Sequence, residues 1–319
     1  MMTNSTCFHP DYFLLMGIPG LEDSYLLLSI LFSIMYVLSL LGNSIMVLVI
    51  STNESLHQPM YIFLMMLSIS DVFLSSTAIP KTLSIFLVSS YEISFYGCLT
   101  QVFFIHFLFG AESAILLSMA YDRYCAICHP LNYTLTVTGS FIRKTAMFTL
   151  FRNILFVLPF TFLLDRLSFQ QSNVIGHTYC EHMSVATLAS VSITVNVVYG
   201  LVIAAIASGL DLTLIFVSYV AIITAVLRLR TSKARFKAFN TCVSHICVII
   251  LFYTPAFFSF IAHRVGHKYV SLQFHILLAN LYVIVPPMMN PIIYGIKTRG
   301  IEQKLIAMLR RPINFIIIT

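Results

Sequence analysis

Seven stretches of mostly apolar residues, roughly 25–50, 59–88, 98–127, 142–164, 195–227, 237–262 and 273–295, decide what this chain can become. A hydrocarbon core about 30 Å thick takes about 20 apolar residues per helical crossing, and a helix satisfies its own backbone there. The rest of the composition agrees. With 59% hydrophobic and 9% charged residues and a mean hydropathy of +0.91, too little polar surface exists to coat a water-soluble globule. The expected fold is an all-α membrane protein: a seven-transmembrane helix bundle followed by a short cytoplasmic amphipathic helix at 299–309.

The connections are short, which is the regime where Lys and Arg asymmetry fixes orientation. With the N-terminus outside, Arg123, Arg143, Lys144, Arg228, Arg230, Lys233, Arg235, Lys237, Lys297, Arg299, Lys304, Arg310 and Arg311 fall inside, against Lys81, Arg166, Arg264 and Lys268 outside. That arrangement predicts an extracellular N-terminus at 1–24, a seven-helix domain at 25–295 and a cytoplasmic helix and tail at 296–319. The net charge of +6 is then explained by topology and anionic lipid rather than by nucleic acid. Residues 1–24 carry His9, Asp11, Glu22 and Asp23 and lack the basic start and apolar run of a cleaved signal peptide. Of three sequons, at Asn4, Asn53 and Asn132, only the first would face outward, so a glycan is expected on Asn4 alone.

Cys98 and Cys180 both fall on the outer side, where oxidising conditions make a disulfide between them the expectation. Cys7 is left over there, free or as a second tether. Cys125, Cys128, Cys242 and Cys247 lie at inner ends, where thiols stay free or are palmitoylated. Cys125 and Cys128 have the spacing of a metal pair, but no second pair shares their loop, so no metal is expected.

Where the third stretch ends, residues 119–134 read MAYDRYCAICHPLNYT, with an acid and a base adjacent at Asp122 and Arg123. Charges at a membrane edge are costly and mostly face the bundle interior, which makes both functional candidates. The plain alternative for Arg123 is an interfacial anchor that reaches a lipid phosphate. Further strings are Leu41-Gly42-Asn43, PMYIFLMMLSISD at 59–71, Ser218-Tyr219, KAFNTCVSHICVIILFYTP at 237–255 and PPMMNPIIYGIKTR at 286–299. In this order, over nearly the whole chain, they resemble the landmarks of olfactory receptors, within the rhodopsin-like G-protein-coupled receptors. The loop SNVIGHTYCEHM at 172–183 is similar to the fish-like, class I branch.

The resemblance implies an odorant receptor at the plasma membrane that binds small volatile or water-soluble molecules, carboxylic (fatty) acids by analogy with class I. Its partner would be a stimulatory, olfactory-type heterotrimeric G protein that raises cyclic AMP. Asp122 would hold Arg123 at rest, beside Tyr124, until an outward swing of span six frees the arginine for the G protein. Tyr219, Asn290, Pro291 and Tyr294 match residues of the same activation machinery. Asp71 and Glu112 are carboxylates at middle depth, and Asn43 and Asn290 match positions that surround Asp71. Two buried acids cannot both stay charged without compensation, so a sodium ion or a shared proton is expected, with an ion-free hydrogen-bonded network as the alternative. Arg152 and Asp211 are further buried charges to which the sequence assigns no partner. Pro159, Pro255, Pro287 and Pro291 should kink their helices, Pro255 giving span six a pivot.

For the pocket, span three offers His106, Phe109 and Gly110, span five Ile203 and Ala207, and span six Tyr253, Phe257 and Phe260, an apolar lining with a few polar handles. Met183 and His182 would form the lid. Arg264, one turn beyond Phe260, matches the position where acid-recognising class I receptors carry an arginine, and its fork suits a carboxylate. A solvated loop residue is the bland alternative.

The chain also departs from the family's pattern. Gln170 and Ser190 stand near where two further loop cysteines are usual, Phe260 is bulky where a short-acid receptor carries a small hydroxyl residue, and the tail RRPINFIIIT is unusually apolar. A transporter would share the buried charges, but no internal repeat divides seven spans into halves. No GxS nucleophile string, HExxH motif or acid–base constellation points to an enzyme. An amine receptor would want an acid where Ile105 and His106 stand.

Overall fold

The computed structural model describes residues 9–169, 172–229, 231–265 and 271–316, with the side chains of 234, 237, 240, 241, 260, 262–265, 299 and 309–316 outside the description. Seven helices are long and apolar enough to cross a membrane. They are α1 (Tyr25–Thr52), α2 (Pro59–Val88), α3 (Phe95–Cys128), α4 (Gly139–Asp165), α5 (Thr194–Leu227), α6 (Ser232–Val265) and α7 (Leu272–Lys297), followed by α8 (Arg299–Ile316). Every expected stretch is present, and most run a few residues further because polar caps extend them beyond the apolar core. Ser94, Thr138 and Ser271 accept hydrogen bonds from the amides of Gly97, Phe141 and Phe274 at the starts of α3, α4 and α7. Pro59 opens α2, where its missing N–H is no loss.

Helix α3 forms the axis, with buried residues from Phe95 to Cys125. The apolar core divides into a cluster at the N-terminal end of the bundle, called here the cap end, a second cluster at the end carrying α8, the tail end, and a smaller third of residues from α2, α3 and α7 around Tyr179. Pro159, Pro255, Pro287 and Pro291 lie inside continuous helices, and α5 contains a π-helical stretch at Ala204–Gly209 that nothing in its composition announced.

The cap end holds a small sheet unforeseen in the sequence. Strand β1 (Tyr12–Leu15) lies between β2 (Glu92–Ser94), antiparallel to it, and β3 (Val174–Ile175), parallel to it. Phe13, Leu15 and Ile18 are wholly buried under this sheet, so the N-terminal segment is part of the core. The expected disulfide joins Cys98 to Cys180, with Cα atoms 5.5 Å apart. It draws His177–Cys180 down between α2, α3 and α7. There Thr178 Oγ1 donates to Asn280 Oδ1 at 2.8 Å, Tyr179 Oη to the Ala279 carbonyl at 3.2 Å, and the Cys180 amide to Gln101 Oε1 at 2.8 Å. Asn4 and Cys7 lie outside the described residues.

Candidate functional site

The loop fills the α2–α3–α7 side of the cap end, and the residues expected to line the pocket lie toward α4, α5 and α6. His106 stands there on α3. Its Nδ1 donates to the Val102 carbonyl at 2.8 Å, since a carbonyl can only accept, so Nε2 is the nitrogen left for other contacts. The ring lies 4.7 Å from Phe160 and 6.2 Å from His182, and His182 stacks on Phe160 at 3.6 Å. Phe160 and Tyr199, the latter donating to the Phe156 carbonyl at 3.0 Å, belong to this wall and were missed in the sequence. Ile203 is half-buried, Ala207 is buried in the π-helical stretch, and Met183 is half-buried in the short helix His182–Ala186. Phe109 stacks on Phe252 at 4.5 Å, and Phe257 stacks on Tyr253 at 5.9 Å while remaining 37% exposed. The backbone of Arg264 lies in the last turn of α6; its side chain and that of Phe260 lie outside the described residues.

Below this wall a polar network crosses four helices. Arg152 on α4 grips Asp211 on α5 through two bonds, Nη1 to Oδ1 at 2.8 Å and Nη2 to Oδ2 at 3.0 Å, and Nη2 also donates to the Gly110 carbonyl at 3.1 Å. Ser113 Oγ donates to Asp211 Oδ2 at 2.7 Å and meets Tyr253 Oη at 2.8 Å, which brings in α3 and α6. A buried ion pair is tolerable only when hydrogen bonds satisfy most of its remaining valences, and here Ser113 and Gly110 do so, while Arg152 Nε has no partner among the described residues. What the structure shows of Gly110 is packing against α4: a Cβ there would stand 2.7 Å from Asn153 Oδ1.

At middle depth Asp71 and Glu112 are both fully buried. Asn290 Nδ2 donates to both Asp71 oxygens at 3.1 and 3.0 Å. Asn43 does not reach Asp71; it donates instead to the Pro287 and Ser39 carbonyls at 2.7 and 2.9 Å, joining α1 to α7. Among the described residues, both Glu112 oxygens, Ser70 Oγ, Asn43 Oδ1 and Asn290 Oδ1 lack a hydrogen-bond partner. Orphaned oxygens of this kind suit a hard cation, a proton or bound water. No cluster of three or more His, Cys, Asp or Glu side chains able to hold a metal occurs among the described residues.

At the tail end the expected Asp122–Arg123 pair is not formed. Asp122 accepts a hydrogen bond from Tyr133 Oη at 2.7 Å, which docks the turn after α3, and Arg152–Asp211 is the one ion pair among the described residues. Adjacent residues on a helix point about 100° apart, so Asp122 faces the turn while Arg123 lies within electrostatic reach of Tyr219, His245 and Tyr294. Tyr219 Oη meets His245 Nδ1 at 2.7 Å, a buried bond between α5 and α6 that the sequence did not reveal, although His245 stands inside one of the strings noted above. Tyr124 Oη bonds His129 Nε2 at 3.0 Å.

A seven-helix bundle with polar networks at three depths and a shorter helix after the seventh is the architecture of the rhodopsin-like receptors. The crystal structure of squid rhodopsin superposes with a TM-score of 0.72, covering 91% of this chain and 85% of that one at 16% identity, which establishes the fold. The sequence pattern described as "Olfactory receptor" matches residues 32–311. Human olfactory receptor 52Z1P is 51% identical, covering 94% of this chain and 99% of its own length, and human olfactory receptor 52D1 is 50% identical, covering 94% of each. The chain belongs to the olfactory receptor family: it is a multi-pass plasma-membrane receptor for odorants that couples to a G protein, and not an enzyme.

Proposed function

We propose that this receptor recognises carboxylic acids of the fatty-acid type and activates a stimulatory, olfactory-type G protein that raises cyclic AMP. The cap end faces outward and the tail end the cytoplasm, in keeping with the basic residues gathered near α8, and Asn4 carries a glycan. Arg264 is the acid anchor, contributing two charge-assisted hydrogen bonds, with His106 as the second polar contact and Phe109, Tyr253, Phe257, Phe260, Ile203, Ala207 and Met183 around the chain of the ligand. The observation that carries this reading is the polar column: Tyr253, Ser113, Asp211 and Arg152 lie directly beneath the His106 wall, and Tyr219, His245 and Arg123 continue toward the tail end. A ligand touching Tyr253 thereby bears on α6, which carries the His245–Tyr219 bond about two turns nearer the tail end.

Asp71 and Glu112 share a proton or hold a sodium ion that is released as the bundle rearranges. The orphaned oxygens around them support this, and Asn43 contributes its unpartnered Oδ1. The test is a cyclic-AMP assay of cells expressing the receptor against straight-chain acids, alcohols and amines. A response confined to acids, abolished in Arg264→Ala at unchanged surface expression, is expected. An unaltered dose–response in that variant removes the acid anchor.

A further inference from the structure

We propose that the groove where α1, α7 and α8 meet binds one anionic phospholipid of the leaflet on the α8 side. The groove has a volume of about 250 Å³ and is walled by Gly42, Ile45 and Val49 of α1, Pro291 and Gly295 of α7, and Leu305 of α8. Its rim is lipid-facing, since Leu41, Ile45, Ile292 and Ile296 are 57%, 42%, 39% and 65% exposed on membrane-crossing helices. Only a hydrocarbon chain can wet such a surface.

Charge selects the headgroup. Lys297 ends α7 two residues after Gly295 and Lys304 precedes Leu305 on α8, so two cations flank in sequence the segments that wall the groove. Neither has an ion-pair partner among the described residues, and Glu302 is the one acid on α8. A zwitterionic lipid would leave both lysines uncompensated, whereas a phosphatidylserine or phosphoinositide brings its net negative charge to them. Gly295 is open to the groove, because a Cβ built there meets nothing within 4 Å. A chain lying against Pro291 and Gly295 touches the residues on either side of Tyr294, so lipid charge bears on the α7 switch.

The test is lipid retention by the purified full chain in nanodiscs of phosphatidylcholine with or without phosphatidylserine, read by native mass spectrometry. Phosphatidylserine is expected to be retained over phosphatidylcholine, with about fivefold loss for each of Lys297→Gln and Lys304→Gln. Gly295→Leu, which fills the groove, is expected to abolish that preference with both lysines intact. Photo-crosslinking of wild type with a diazirine-tailed phosphatidylserine covers the case of a variant that fails to fold, and adducts are expected on Ile45 or Ile292. Inositol phosphate without acyl chains should leave the lipid in place; displacement by it would assign the lysines to free phosphate and overturn the groove. Equal retention of both lipids, or adducts confined to other helices, would also overturn the proposal.

Discussion

Two Asp–Arg sets divide the bundle, and they are built in opposite ways. Arg152 and Asp211 come from different helices, meet through two short bonds and are further held by Ser113 and Gly110. Asp122 and Arg123 are neighbours in sequence yet form no ion pair, the acid taking the Tyr133 hydroxyl and the base lying within electrostatic reach of Tyr219, His245 and Tyr294 as well as of Asp122. Adjacency on a helix separates side chains, while a crossing of two helices can bring them together. The first pair therefore fixes the relation of α3, α4 and α5. The second leaves Arg123 outside any ion pair among the described residues.

The sharpest way to break this contrast is to remove one member of the fixed pair. Asp211→Leu strands the Arg152 guanidinium in the bundle, and breaking a buried pair costs about 3–5 kcal/mol. A large fall in the thermal unfolding temperature of solubilised receptor, with loss of surface expression, is the expected outcome. The double variant Arg152→Met, Asp211→Leu should recover much of that stability, because an apolar replacement of both partners leaves no stranded charge. A single variant as stable as wild type would show that the pair holds nothing together.

Next in size comes Gly110→Ala, which sharpens the same point at the neighbouring contact. The added methyl meets Asn153 Oδ1 at 2.7 Å and forces α3 from α4, at about 1–3 kcal/mol. Thermal unfolding checks it, and an unchanged midpoint would mean that the Asn153 side chain moves aside.

The seven spans were legible because lipid imposes one rule on every residue of a crossing helix, and the disulfide because both cysteines fell on one side of that pattern. Pairing across helices follows no such rule. Nothing in the 59-residue separation of Arg152 and Asp211 says that they face each other. Strand β1 is four residues, YFLL, too short for a period-two signal, and its partners lie in distant loops. The Asp122–Arg123 contact was implied by the family resemblance alone, while the hydroxyl that does bind Asp122 sits in the next turn at Tyr133.

At the second set the expected effects are smaller and fall on signalling before stability. His245→Leu removes the Tyr219 bond between α5 and α6, and a single buried hydrogen bond contributes about 0.5–1.5 kcal/mol net. That corresponds to roughly a two- to tenfold shift toward the open tail end. Basal nucleotide exchange on the G protein should rise accordingly, with the unfolding temperature little changed. A fall in basal exchange would instead make His245 a support of the active form.

The smallest effect is expected at Tyr133→Phe, which leaves Asp122 without its hydroxyl. Tyr133 is half-exposed, so water replaces part of the lost bond and the destabilisation stays near 0.5–1 kcal/mol. Burial first, then the hydrogen bond to Asp122 and its charge, push the Tyr133 phenol well above the usual tyrosine range. A raised value means that the docked turn is stabilised at every pH below that of a free tyrosine, and loses this only as pH climbs toward the raised value. Docking of the turn should therefore be flat across the neutral range, read by hydrogen exchange at the Tyr133–Thr136 amides in wild type. Tyr133→Phe should exchange faster there at each pH, since without the hydroxyl only packing holds the turn against Asp122. Equal protection in the two proteins would assign the docking to packing alone, and the acid of the second pair would then be unrestrained like its base.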